Sequence, residues 1–148
     1  MANASTTGFG LRPIKKVGQT DNVGALTEYS VAASSALISH AAMVQLTADG
    51  VVLASGNTDA DNLGTLNGVF YTDADTNKPT FANFSKASNT ATDIVAFVND
   101  DPRQVYEIMS ADTAFNQNEV GGCADQVAAV GTTPLFISKS KISATTSA

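Results

Sequence analysis

The chain has 148 residues and a net charge of −6 at pH 7, and only 15% of its residues are charged. This length fits a single domain with one core. An acidic chain lacks the electrostatic footprint of a nucleic-acid-binding protein. No window of about 18 apolar residues predicts a membrane span, and residues 1–10 lack the pattern of a secretory signal. We therefore expect no nucleic acid and no membrane as partners, and synthesis in the cytoplasm.

The N-terminal segment differs in character from the rest of the chain. Residues 1–11 are mostly small and polar, which predicts a flexible arm ahead of a single β domain over residues 12–148. The next few residues mix apolar and basic side chains, and Pro13 favours an edge strand over a central one. A basic arm on an acidic body suggests docking on an acidic partner, and the alternative is a solvated edge strand. The candidates for this contact are Phe9, Arg12, Lys15 and Lys16.

Residues 26–54 predict one strand followed by a hairpin. The alternation over residues 26–31 is typical of a half-buried strand. Alanines favour a helix over the first part of residues 32–46, but we interpret residues 43–46 as a strand paired with residues 51–54. The reason is Asp49-Gly50, since this dipeptide between two apolar runs is a strong hairpin signal. His40 has no second histidine or cysteine at ligand spacing, so we expect it to be structural.

Two aspartate-rich stretches, residues 57–64 and 73–77, invite comparison with calcium loops. Neither has glycine at the sixth position, and the twelfth positions hold Gly68 and Phe84 instead of glutamate, so the EF-hand pattern fails. We expect Asx-rich β-turns, with a looser calcium site as the alternative.

Residues 66–81 predict a second hairpin. The run 66–72 is typical of a strand in which Gly68 marks either a bulge or a close approach of another backbone, and a return strand begins at Pro79. Val69, Phe70 and Tyr71 would face Phe81 and Phe84 in an aromatic cluster, which we expect to be packed in the core.

Residues 94–109 form the best-defined local pattern in the sequence. Two runs rich in β-branched and aromatic residues flank the turn residues Asn99-Asp100-Asp101-Pro102. Because a residue before proline avoids the helical region, a helix through this turn is unfavourable. We predict a hairpin of two apolar strands here.

The C-terminal third is weakly patterned. Residues 112–126 contain Gly121-Gly122 and predict a loop with one helical turn around residues 113–118. Short strands are predicted at residues 127–130 and 135–142, and residues 143–148 form a tail that is either free or covered by another subunit. Cys123 is the one cysteine, so no intrachain disulfide is possible, and we expect a half-buried thiol.

Catalytic motifs are absent from the sequence. There is no glycine-rich phosphate loop, HExxH, CxxC or GxSxG, and a triad would have His40 as its sole candidate base. We expect a protein that is not an enzyme and has no cofactor and no metal site.

Three segments resemble the head decoration (capsid cement) proteins of tailed bacteriophages. They are TTGFGLRPIKKV at residues 6–17, GVFYTDADTNKPTF at residues 68–81 and DIVAFVNDDPRQVYEIM at residues 93–109. Similar phage proteins have a GFGLRP-like arm and two hairpins of this kind at like spacing, although most carry a further apolar strand at the C-terminus.

The resemblance implies a fold and a function. The fold would be all-β, a small antiparallel β-barrel or sandwich with an extended N-terminal arm and at most one short helix. The protein would be part of the virion, where it would bind the outer surface of the capsid and bridge subunits of the major capsid protein. It would form a homo-oligomer at a local symmetry axis. By position, Phe9, Leu11, Arg12 and Pro13 would contact the capsid, with Lys15 and Lys16 beside them. The alternative function is a virion-displayed β-sandwich module that binds carbohydrate or a host surface through an exposed aromatic platform.

Overall fold

The structure is a computed structural model that describes residues 7–18, 26–32, 35–54, 62–111 and 115–147. This part of the chain is all-β, with ten strands and one 3-10 turn at Gln117–Glu119. The predicted fold class is therefore confirmed. The strands are β1 (Arg12–Lys16), β2 (Thr27–Ser30), β3 (Met43–Thr47), β4 (Gly50–Leu53), β5 (Asn62–Thr72), β6 (Pro79–Ala82), β7 (Val95–Asn99), β8 (Gln104–Glu107), β9 (Cys123–Val127) and β10 (Lys141–Ser147).

The strands form three antiparallel sheets. The largest has the order β2-β7-β5-β3-β4, with β6 added to β5, and the two small sheets pair β1 with β8 and β9 with β10. The edge strands of the large sheet approach each other through a single bridge, Val31 to Val51. The sheet does not close into a barrel. Of the two predicted architectures, barrel and sandwich, the structure therefore fits the sandwich.

The core lies on one face of the six-stranded sheet. Strand β7 contributes Ala96 and Val98, which alternate with outward-facing residues as the pleat requires. On β5, Leu66 and Val69 both face the core although they are three residues apart, because the pairing with β7 shifts register between Leu66 and Gly68. The predicted bulge is therefore confirmed. The other large core side chains are Ile38, Val44 and Val51.

Both local hairpin signals are confirmed. Val44 pairs with Leu53 and Thr47 with Gly50, so the hairpin forms at the predicted Asp49-Gly50 signal, with Ala48 and Asp49 as its loop and Gly50 as the first residue of β4. In the β5–β6 hairpin, Asp73 accepts hydrogen bonds from the backbone amides of Asp75 and Thr76, which is the expected Asx geometry. Of the first aspartate-rich stretch, residues 57–64, the structure describes only residues 62–64.

No helix forms in the described residues 35–42. Instead, this segment crosses the molecule as irregular backbone and makes isolated bridges from Ile38 to Ser85 and from His40 to Ile137. The alanine-rich composition favours a helix only through intrinsic propensity, and tertiary hydrogen bonds override it here.

The predicted hairpin over residues 94–109 is wrong in its pairing. Both runs are strands, but β7 lies in the six-stranded sheet between β2 and β5, whereas β8 pairs with β1. The turn at Asp100 to Pro102 is therefore a corner that carries the chain from one sheet to another. Strand propensity identified the two strands, and their partners come from distant parts of the sequence.

The predicted burial of the aromatic cluster is only partly correct. Tyr71 is buried in the core, but Phe70 and Phe81, which face each other across the β5–β6 pair, are exposed. The Phe81 ring packs against Phe97 with centroids 5.8 Å apart. It also covers Gly68, since a Cβ on that glycine would lie 3.2 Å from Phe81 Cζ. An aromatic ring over a strand glycine shields the bare backbone there.

The C-terminal predictions need several corrections. Strand β9 begins at Cys123, four residues before the predicted strand. Strand β10 includes residues 141–142 of the last predicted strand and continues through residues 143–147 of the predicted tail. Residues 135–138 are not a strand; Ile137 only bridges to His40. The Cys123 side chain is exposed rather than half-buried. The predicted single helical turn corresponds to the 3-10 turn at Gln117–Glu119.

The described part of the predicted flexible arm packs onto the domain. Gly8 and Gly10 are buried, and Gly10 N–H donates to the carbonyl of Ser140 over 3.3 Å. Leu11 N–H donates to the carbonyl of Ala41 over 2.9 Å. Residues 8–11 are thus part of the folded body, and residues 1–6 of the predicted arm lie outside the described residues.

Candidate interaction surface at the N-terminal strand

Strand β1 presents basic and apolar side chains to solvent. Arg12 pairs in register with Glu107, and the pairing with β8 shifts between Pro13 and Lys15. Because of this bulge, the consecutive residues Ile14 and Lys15 are both exposed. Arg12 and Val17 are exposed as well. In a chain with a net charge of −6, this strand is a local basic and apolar surface.

Lys16 points inward and is not part of that surface. It is only 9% exposed, and its Nζ lies 2.6 Å from Oδ2 of Asp101. The hydrogen bond from Lys16 is the main cause that holds the pKa of Asp101 below its usual value, and the backbone amide of Arg103 adds to it. Lys16 therefore serves the fold, and its ammonium is not available to a partner.

The corner at Asp100 and Asp101 ties β1 to the six-stranded sheet. Asp100 accepts hydrogen bonds from Thr27 Oγ1 at 2.9 Å and from the Tyr29 hydroxyl at 2.7 Å, both on the edge strand β2. The bond to Asp100 is also the main cause that raises the pKa of Tyr29. On the other side, Gln104 Nε2 donates to the carbonyl of Lys15 over 2.9 Å. These contacts fix the orientation of β1 relative to the large sheet.

A cleft of about 360 Å³ opens beside β1. We call it the Arg12 cleft, and it is lined by Phe9, Arg12, Pro13, His40, Glu107 and Ile137, with Ala41 at its base. Four stretches of chain meet here, namely the N-terminal segment, the segment around His40, strand β8 at Glu107 and the segment around Ile137. The cleft thus depends on segments that are far apart in the sequence.

His40 is held in place between two clefts. Its Nδ1 lies 2.9 Å from the carbonyl oxygen of Asn67 at the β5 bulge. Its backbone amide donates to the carbonyl of Phe136, and its own carbonyl accepts from Ser138. The ring lines the Arg12 cleft and also an adjoining cleft of about 290 Å³ that shares Pro13 and Ala41. A lone histidine carries no sequence signal for such a role.

Leu11 lies on the opposite side of the N-terminal segment. It lines a third cleft, of about 480 Å³, together with Met43 and Tyr106. Burial raises the pKa of Tyr106, whose hydroxyl donates to the carbonyl of Asn99 over 3.0 Å. Leu11 therefore contacts a different part of the body from Phe9 and Arg12.

The structure places the six residues proposed from sequence in four different settings. Phe9, Arg12 and Pro13 come together in the Arg12 cleft. Leu11 lines another cleft, and Lys15 is exposed on the strand. Lys16 is engaged with Asp101. His40, Glu107 and Ile137 complete the cleft, and nothing in the sequence pattern singles them out for it.

Within the described ranges, no three or more His, Cys, Asp or Glu side chains are grouped so that they could hold a metal ion. No helix in the described part of the chain is long and apolar enough to cross a membrane. Comparison with known proteins found no matching protein-family model, no similar curated protein and no similar solved structure.

Proposed function

We propose that this protein is a structural virion protein that binds the outside of a phage capsid and stabilises it by bridging subunits of the major capsid protein. The observation that carries the proposal is the exposed face of β1, where Arg12, Ile14 and Lys15 lie together on an otherwise acidic protein. A surface that combines unburied apolar side chains with cations suits an acidic protein partner. The resemblance of residues 6–17 to the arm of the capsid cement proteins points to the same segment.

Such a function needs no catalysis. A protein that bridges neighbouring subunits adds contact area at each junction of the shell. Because it binds the assembled form selectively, it stabilises that form by mass action, as any ligand selective for one state does. Few charges and many small polar residues suit a moderately polar and hydrated interface.

The direct test is sedimentation with undecorated capsids of the phage that encodes the chain. We expect the protein to pellet with the capsids in a saturable manner and to raise the temperature at which they break open. Failure of the wild-type protein to pellet would reject the capsid assignment.

A charge-reversal variant tests the surface itself. Arg12→Glu and Lys15→Glu, each made as a single variant, should both reduce binding strongly because an exposed cation of β1 is then replaced by a charge that repels an acidic partner. Lys78→Glu is the matched control, since Lys78 is exposed in the β5–β6 turn. Equal loss of binding in the control would show that overall charge, rather than β1, governs attachment.

A carbohydrate-binding module is the second candidate, and the exposed pair Phe70 and Phe81 favours it. Exposed aromatic faces can stack on apolar faces of sugars. Binding of the isolated protein on a glycan array, lost in Phe81→Ala and kept in Arg12→Glu, would favour this candidate over the first.

A further inference from the structure

The Arg12 cleft is already formed in the free chain. Its walls are held by backbone hydrogen bonds, from Leu11 to Ala41 at 2.9 Å, from His40 to Phe136 at 2.9 Å and from Ser138 to His40 at 2.8 Å. The His40 ring is fixed in addition by Asn67. A site that is ordered before binding loses little conformational entropy on binding, which favours affinity from a small contact area.

The cleft offers apolar surface that the fold leaves uncovered. Phe9 and Pro13 are half-buried, and Ile137 is 38% exposed. These three side chains would cover one large apolar side chain of a partner. The surrounding backbone is already bonded within the chain, so the recognition here depends on side chains.

The charge at the rim is set by Arg12. Among the described residues, the cations of the salt bridges are Lys16, Lys86 and Arg103, so Arg12 makes no such bridge. A guanidinium group binds a carboxylate in a fixed bidentate geometry. Lys15 is exposed on the same strand but does not line the cleft, whereas Glu107, which lines the cleft and faces Arg12 in register, carries the opposite charge.

We propose that the Arg12 cleft receives a segment of a partner protein in which an acidic residue stands beside a large apolar residue. The carboxylate binds Arg12, and the apolar side chain lies against Phe9, Pro13 and Ile137. This inference rests on the proposed function for the identity of the partner, the major capsid protein, and it adds the chemistry of the segment that the partner must present.

The test uses the isolated protein and two short peptides. The probe is N-acetyl-Gly-Asp-Leu-Gly-amide, and the control is the same peptide with lysine in place of aspartate. Chemical shifts of the ¹⁵N-labelled protein are followed during titration. We expect saturable shifts of the amides of Gly10, His40 and Ile137 with the acidic probe and weaker shifts with the lysine peptide.

Single variants then measure how the charges of Arg12 and Glu107 affect the affinity for the acidic probe. Arg12→Gln should weaken binding of the acidic probe about tenfold, because a charge-assisted hydrogen bond is lost. Glu107→Gln should tighten binding a few-fold by removing the opposing charge. Lys78→Gln changes the net charge as Arg12→Gln does but lies outside the cleft, so binding should not change.

Several results would overturn the inference. They are equal shifts with both peptides, shifts centred on Phe70 and Phe81, no saturable shift at all, or full affinity in a folded Arg12→Gln variant. Capsid sedimentation is scored separately. If the protein binds capsids but not the acidic probe, the cleft proposal fails and the proposed function stands. If the protein binds the acidic probe but not capsids, only the capsid assignment is rejected.

Discussion

Lys16 and Asp101 form an ion pair with Nζ and Oδ2 2.6 Å apart, and both side chains are largely withdrawn from solvent. The pair joins β1 to the corner between the large sheet and β8. It therefore couples the proposed contact strand to the body of the protein.

Asp101→Asn should lower the thermal stability at neutral pH, because Lys16 would keep its buried position without a charged partner. The folded-state pKa of Asp101 is depressed below 3.8. The stabilisation is thus present above the unfolded-state value and is lost as the pH falls through the lower folded value. The difference in melting temperature between the variant and the wild type should be constant from pH 7 to pH 5 and shrink below about pH 4.

Melting curves at several pH values check this, with Asp75→Asn as the control because Asp75 is exposed in the β5–β6 turn. A difference in melting temperature that persists unchanged at pH 3 would show that the carboxylate charge of Asp101 is not the cause.

Gly10 is required by a close approach of two backbones. Its φ is +75°, and a Cβ there would collide with the carbonyl oxygen of Ala41 and lie 2.8 Å from Cβ of Ser138. Gly10→Ala should therefore lower the free energy of unfolding by more than about 1 kcal/mol. Urea denaturation measures the change.

Gly18→Ala is the matched control for Gly10. Gly18 has a similar φ of +77°, but apart from its chain neighbours no atom of the described residues lies within 4 Å of the Cβ position. It should show only the backbone strain of a left-handed residue, about 1 kcal/mol. Equal losses in the two variants would mean that the contact of residues 8–11 with the body adds nothing to stability.

Leu66 tests the assignment of the core. Its side chain is 1% exposed next to the β5 bulge, so Leu66→Ala should cost about 2–5 kcal/mol in a urea unfolding experiment. Leu135 is 64% exposed, and Leu135→Ala should change stability by less than about 0.5 kcal/mol. A small loss at Leu66 would place the bulge, and with it the register of β5 and β7, in the wrong position.

Phe81 is 65% exposed but contacts both Phe97 and Gly68. Phe81→Ala should lower the free energy of unfolding by about 0.5–1.5 kcal/mol, since the ring pair and the cover over the glycine are lost. Leu135→Ala, at an apolar side chain that is 64% exposed, should have a smaller effect in the same measurement. A gain in stability for Phe81→Ala would mean that the ring is retained for binding alone.

Features encoded by neighbouring residues could be predicted from the sequence. The turn at Asp49-Gly50, the Asx turn at Asp73 and the bulge at Gly68 all depend on backbone preferences of a few residues. The all-β class followed from the same local signals.

Features that depend on distant pairing could not be predicted. The pairing of β8 with β1 instead of β7 is a choice between partners that local propensity does not distinguish. Strands β9 and β10 consist largely of small and polar residues, so neither shows an apolar alternation. Lys15 and Lys16 look alike in sequence, and only the position of Asp101 makes one of them buried.

The pairing of β1 also constrains the order of events during folding. Gln104 bonds to Lys15 across 89 residues of sequence, and Gly10 bonds to Ser140 near the other end of the described chain. Closing such long loops is slow, and residues 8–16 leave the ribosome well before these partners exist. The strand proposed to contact the capsid is thus synthesised before its partners and is completed only after they emerge, so a nascent or partly folded chain would not present the proposed docking surface.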